Sequence, residues 1–318
     1  MAKRKVIDVS INLGYELAAV GRCQGYQEYM SSELAEATLM MNGIREKYNT
    51  PWPQPIPLTL DDLIETMDEA NVVQGVITGM DYRSKAPWYT KKPYKPMRLY
   101  CPSDYVKEVI DKYPKRFKGL AGIDPMRPRE DVLDEIKRCM EEWGFAGIKL
   151  MPLAGYYPSD KELLYPIYER CVDLDAVVCI ESSHTCWYKS RVYSQTPLQI
   201  GEIAQDFPEL RLHILCGGER TWRHNDAMAV CMNCPNVNMD TSPSLPELWT
   251  SYHNCPEEFK MAATLVPDHL MFASEYPLCY PISRGIEGLE SIEGVSEEFL
   301  NKVFYENAKK FYRFEDID

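Results

Sequence analysis

Short apolar runs alternate with amphipathic helical stretches along nearly the whole chain, and this alternation constrains the fold more than any other feature. Val6–Ile11, Val72–Thr78 (VVQGVIT), Phe117–Ile123 (FKGLAGI) and Gly147–Met151 (GIKLM) read as strands. So do Val177–Glu181 (VVCIE), Leu210–Cys216 (LRLHILC), Val237–Asp240 and His269–Ala273 (HLMFA). These runs lack the apolar–polar alternation of a half-exposed sheet, which marks strands buried on both faces of a parallel sheet. Helices are predicted over Leu60–Ala70 behind a Thr59 cap, Ser103–Lys112 with its own Ser cap, Arg129–Trp143 and Ser159–Leu174. Others follow over Leu198–Asp206, Trp222–Met232, Leu245–Leu265 and on to the end. About eight strand–helix units in 318 residues point to an α/β protein, a closed (β/α)8 TIM barrel rather than an open doubly wound sheet. No GxGxxG or P-loop fingerprint follows any strand, which argues against a nucleotide site.

The whole of 1–318 reads as one barrel domain, with residues 13–58 inserted after the first strand. That segment holds a predicted helix over Ser32–Lys47 and the proline-rich PWPQPIP, and is expected to form a cap or an oligomer contact. A homo-oligomer is expected, or a hetero-oligomer with a related barrel subunit. The formal net charge of −13 argues against nucleic acid and anionic membranes as partners. The basic stretch Arg83–Arg98 reads as a surface loop near the active face. With no membrane-length apolar run and no signal-peptide core, a cytoplasmic address is expected. The eleven cysteines are then reduced thiols, and Cys231-x-x-Cys234 has no second pair at zinc-ribbon spacing.

Barrels of this kind place their chemistry at the carboxyl ends of the strands. Those ends carry Ser10 and Asn12, Asp124, Lys149, Glu181 with His184 beyond it, Cys216 followed by Glu219-Arg220, Asp240, and Ser274-Glu275. Leu212, Ile214 and Cys216 are taken to share the lumen face, which would turn His213 toward the helical layer. His224, His253 and His269 read as structural.

The segments VIDVSIN, RFKGLAGIDP, GFAGIKLMP, VCIESSHT, FPELRLHILCGGE, CPNVNMDTS, HLMFASEYP and NKVFYENAKKFY, in this order, resemble the amidohydrolase-related family. This is the aminocarboxymuconate-semialdehyde decarboxylase-like branch of the metal-dependent hydrolases. The resemblance implies metal-binding histidines at 10, 12, 181 and 216 and an aspartate at 275. The chain instead has Ser10, Asn12, Glu181, Cys216 and Glu275, a degenerate metal site. Two of the replacements, Ser10 and Asn12, are poor ligands for a transition metal.

The expected site therefore has His184, Glu275 and Glu181 as catalytic acid–base groups. Ser10, Asn12, Lys149, Arg220, Trp222 and Asp240 are expected to bind substrate, with guanidinium or ammonium on a carboxylate and indole on a ring face. No metal is expected, or one divalent ion held by Glu181, His184, Cys216 and Glu275, with zinc favoured. The resemblance implies a hydrolase or decarboxylase acting on a small carboxylated ring or unsaturated acid. The alternative is a non-catalytic, metal-poor barrel that binds such an acid or partners a metal-bearing relative.

Overall fold

The computed structural model describes residues 4–13, 59–81, 100–152, 155–182, 196–218, 220–242, 256–277 and 279–317. Eight parallel strands form one sheet: β1 (Val6–Asn12), β2 (Val72–Thr78), β5 (Phe117–Gly122), β6 (Gly147–Leu150), β7 (Val177–Glu181), β8 (Arg211–Leu215), β9 (Val237–Asp240) and β10 (Leu270–Met271). A two-stranded antiparallel ribbon, β3 (Met80–Asp81) with β4 (Tyr100–Cys101), follows β2. The sheet closes between its first and last strands. Ile11 bridges to Tyr276, the Val9 amide donates to Phe272 O at 3.0 Å, and the Asn12 amide donates to Tyr276 O at 2.9 Å. The expected TIM barrel is the observed fold.

Alternate strand residues fall into two separate apolar clusters. Val72, Ile77, Ala121, Ile148, Leu150, Val178, Ile180, Leu212, Ile214, Val237 and Met239 pack with helix residues such as Leu63, Met67 and Val106. Ile7, Val9, Val76, Leu120, Val177, Cys179, Leu215, Met271 and Ala273 form the interior cluster. The second cluster also takes in Ala308, Phe311 and Tyr312 of the last helix, which thereby floors the barrel. This partition corrects the expected phase of β8. Leu212 and Ile214 face the helices, and His213, between them, faces inward.

The helices are α1 (Leu60–Glu69), α2 (Ser103–Lys112), α3 (Arg129–Lys137), α4 (Tyr165–Asp173), α5 (Pro197–Asp206), α6 (Arg220–Asn233), α7 (Pro256–Leu265), α8 (Ser283–Glu290), α9 (Glu297–Asn301) and α10 (Asn307–Tyr312). Thr59 caps α1 as expected, in a reciprocal capping box with Asp62. The Ser cap expected for α2 is not there: Pro102 is the N-cap, and the Ser103 hydroxyl donates to Glu135 at 3.1 Å. Helix α3 does not run to Trp143 as one α-helix. It widens into a π turn over Arg138–Glu142, closed by the Trp143 amide on Arg138 O. The helix expected from Ser159 begins only at Tyr165, because Asp160 captures the Glu162 and Leu163 amides in a preceding turn.

Residues 14–58, Arg83–Arg98, His184, His253 and the 245–255 part of the predicted seventh helix lie outside the described residues. Among those described, no helix is long and apolar enough to cross a membrane.

Candidate active site

Three strand ends meet in one hydrogen-bonded set. Ser10 and Asn12 lie near the end of β1, Lys149 in β6 alternates with the helix-facing Ile148 and Leu150, and Glu275 follows β10. The Ser10 hydroxyl donates to Glu275 Oε2, and the Asn12 amide donates to Glu275 Oε1 at 2.8 Å. Lys149 Nζ donates to Asn12 Oδ1 at 2.9 Å and lies 3.6 Å from Glu275 Oε1. Among the described residues, the side chains bonded or ion-paired to Glu275 are two hydrogen-bond donors and an ammonium.

Lys149 is only 2% exposed, and burial alone would strip its charge. Glu275 first and Glu181 second outweigh that penalty, with the Cys179 and Cys216 sulfurs behind them, so its pKa lies above that of an ordinary lysine. Lys149 is therefore an ammonium. Lys149, expected to bind substrate, makes a direct ion pair with Glu275. Glu181 is buried within electrostatic reach of both Lys149 and Cys216.

Deeper in the barrel, Asp8 accepts from the Ser274 hydroxyl at 2.5 Å, the Ser274 amide at 3.0 Å and the Ser10 amide at 3.1 Å. Its pKa is nonetheless pushed up to about 7, chiefly by burial; those donors lower it, and the charge on Glu275 adds to the rise. The sequence reading missed Asp8. A charged residue inside an otherwise apolar strand was the available signal, because such a group is tolerated only when bonded or neutral.

A third set joins β8 and β9. His213 Nε2 lies 2.8 Å from Asp240 Oδ2 and its Nδ1 lies 2.7 Å from the Tyr312 hydroxyl. Burial opposes charge on His213, but the Cys179 sulfur and the Asp240 carboxylate override it and hold its pKa near 10. His213 is thus an imidazolium donating at both ends. Asp240, expected to bind substrate, is committed to His213, to the Cys216 amide at 2.9 Å and to the Ser242 hydroxyl at 2.6 Å.

Cys216 does reach the interior cluster, though not by strand alternation. The strand stops at Leu215, and Cys216 adopts φ 64°, a left-handed conformation that places consecutive residues 215 and 216 in one cluster. Burial raises the Cys216 thiol far above its ordinary pKa, and Glu181, Glu275 and Asp240 add to the rise. It is a thiol, not a thiolate, at neutral pH. Arg220 opens α6 and Trp222 lies within its first turn; their side chains are outside the described set.

The described donors do not fit a divalent cation. Among the described residues, no three His, Cys, Asp or Glu side chains form a metal-holding group. Ser10 and Asn12 spend their donors on Glu275, and a dication at Glu275 would face the Lys149 ammonium. At about 4 Å and an effective dielectric of about 20, that repulsion is about 8 kcal/mol.

The class is now defined: a closed (β/α)8 barrel with a lysine and carboxyl groups gathered at the carboxyl ends of its strands. The family model described as Amidohydrolase matches residues 54–314. The chain belongs to the amidohydrolase-related family. It is 29% identical over 134 residues to 2-keto-4-carboxy-3-hexenedioate hydratase of Sphingobium sp. (strain NBRC 103272 / SYK-6), covering 36% of this chain and 39% of that protein. It is 36% identical over 78 residues to 2-amino-3-carboxymuconate-6-semialdehyde decarboxylase of Dictyostelium discoideum, covering 24% and 21%. These matches span well under half of either relative.

Two solved structures are similar over nearly the full length. An uncharacterised TIM-barrel protein from Bordetella bronchiseptica gives a TM-score of 0.70 at 18% identity, covering 97% of this chain and 98% of that one. The 5-carboxyvanillate decarboxylase of Novosphingobium aromaticivorans, solved with manganese, gives 0.64 at 16% identity, covering 98% and 96%.

Proposed function

We propose that this protein is an enzyme acting on a small carboxylated ring or unsaturated acid, by decarboxylation or hydrolysis. The observation that carries the reading is the buried pair of Lys149 and Glu275 at the carboxyl ends of the strands. Decarboxylation needs a proton delivered to the carbon that loses carbon dioxide, and hydrolysis needs one taken from water and given to the leaving group. In either case a carboxyl group carries the proton, while an ammonium offsets negative charge on the substrate. Lys149 takes the second role. Glu275, beside that cation, is the carboxyl group that moves the proton, and Glu181 lies within electrostatic reach of the same ammonium. Ser10 and Asn12 orient Glu275. Both named relatives, a hydratase and a decarboxylase, have carboxylated unsaturated acids in their names, which supports this substrate class.

The test is turnover of a panel of carboxylated benzoates and muconate-type diacids, following carbon dioxide release and loss of conjugated absorbance separately. At least one acid is consumed, and Glu275→Gln slows that reaction by about 100-fold or more, the scale of lost acid–base catalysis. An acid that binds without being consumed makes the protein a binding barrel instead. Unchanged turnover in Glu275→Gln removes that residue from the chemistry.

A further inference from the structure

We infer that Lys149 is the resident cation of this site, standing in for a divalent metal ion and keeping one out. The inference rests on the proposed acid chemistry for its purpose, and on geometry for its substance. Lys149 Nζ donates to Asn12 Oδ1 at 2.9 Å, pairs with Glu275 Oε1 at 3.6 Å and has the buried Glu181 within electrostatic reach. Its neighbours are already turned to serve an ammonium. The Asn12 amide uses both ends at once, accepting from Lys149 and donating to Glu275, while the Ser10 hydroxyl donates to the same carboxylate. A metal would need the oxygens of Asn12 and Glu275 that these bonds occupy, and would meet a like charge beside them.

An ammonium performs part of what a metal ion does. It places positive charge against a substrate oxygen and donates hydrogen bonds to it, but it does not bring in an ionised water. In that role Lys149 favours reactions whose negative charge develops on the substrate itself, and disfavours those that need a metal-bound hydroxide. A structural lysine would leave the site's metal preference unaffected; a resident cation sets it.

The experiment is metal uptake by the whole protein, read without substrate. Wild type purified from medium supplemented with manganese and zinc is expected to hold substoichiometric metal. Its melting temperature is expected not to move with EDTA, MnCl2 or ZnCl2. Lys149→Gln removes the ammonium paired with Glu275 and is expected to bind manganese about 10-fold or more tightly than wild type in a calorimetric titration. One equivalent of metal in wild type, lost in Glu275→Gln, overturns the inference. So does a folded Lys149→Gln protein that binds manganese no better than wild type. The wild-type measurement needs no variant, so it decides the matter even if Lys149→Gln fails to fold. A chain that consumes none of the panel acids defeats the proposed function and leaves this titration to be judged separately.

Discussion

Asn12 and Glu275 are 263 residues apart in the chain and 2.8 Å apart in the fold, joined by a hydrogen bond from amide to carboxylate. The bond spans the seam where the first strand meets the last, so the groups that close the barrel also organise its site. Asn12 additionally accepts from Lys149, which makes it the link between cation and anion.

Removing that link leaves a buried ammonium and a buried carboxylate each short of a partner. Asn12→Ala is expected to destabilise the protein by about 2–4 kcal/mol, the range for unsatisfied buried polar and charged groups. Urea denaturation monitored by far-UV circular dichroism checks it. A loss below 0.5 kcal/mol, the ordinary surface-mutation scale, would show that the amide is dispensable.

Asp8 gives the fold an acid-side stability. Its pKa is about 7 when folded against 3.8 for the unperturbed group, so between these values the unfolded chain releases the proton while the folded chain keeps it. Stability therefore falls as pH rises from about 4 to about 7, by roughly 4 kcal/mol in all, and levels off above. In Asp8→Asn that slope is removed. Denaturation midpoints measured at pH 5 and pH 8 on both proteins compare the slopes directly.

His213 has the same sense over a higher pH range. Its pKa is raised to about 10 from 6.5, so its stabilisation is fully present below pH 6.5 and is lost as pH climbs toward 10. Nitrogen NMR of the imidazole at pH 7.5 is expected to show both ring nitrogens protonated. In Asp240→Asn the ring loses the carboxylate that holds Nε2, and its pKa is expected to fall by a unit or more. A neutral His213 in wild type at pH 7.5 would contradict this arrangement.

Gly147 sets the position of Lys149. A Cβ at Gly147 would lie 2.0 Å from Val177 O, across the β6–β7 pairing, so no other residue fits without parting the strands. Gly147→Ala is expected to lower the melting temperature sharply, by more than the roughly 4–8 °C per kcal/mol scale assigns to a 1 kcal/mol defect in a small domain. Calorimetry reads it out. A shift near zero would mean the strands can separate freely there.

The barrel was legible in the sequence because each buried strand is a run of apolar residues too short to be a helix, and each helix carries its own periodicity. Lys149, Glu275, Ser10 and Asn12 were identifiable as strand-end polar residues, but their mutual bonds depend on the closure of β1 against the segment after β10. The phase of β8 was misread because Cys216 was counted as its last strand residue, when a left-handed turn begins there. Counting from Cys216 inverted the strand and turned His213 outward. Asp8 was given no role because it lies inside the opening strand, short of the polar end at Ser10 and Asn12. Ser103 looked like a cap by residue type, yet the fixed φ of Pro102 already supplied the extended backbone that precedes a helix.

The seam between β1 and the segment after β10 also orders events in time. A ribosome delivers Asp8, Ser10 and Asn12 first, whereas Ser274 and Glu275, which satisfy them, emerge 263 to 266 residues later. Until then the Asp8, Ser10 and Asn12 side chains lack their Ser274 and Glu275 partners, and the opening strand stays an unsealed edge. The bonds that complete the candidate site thus wait for the last strand to be made.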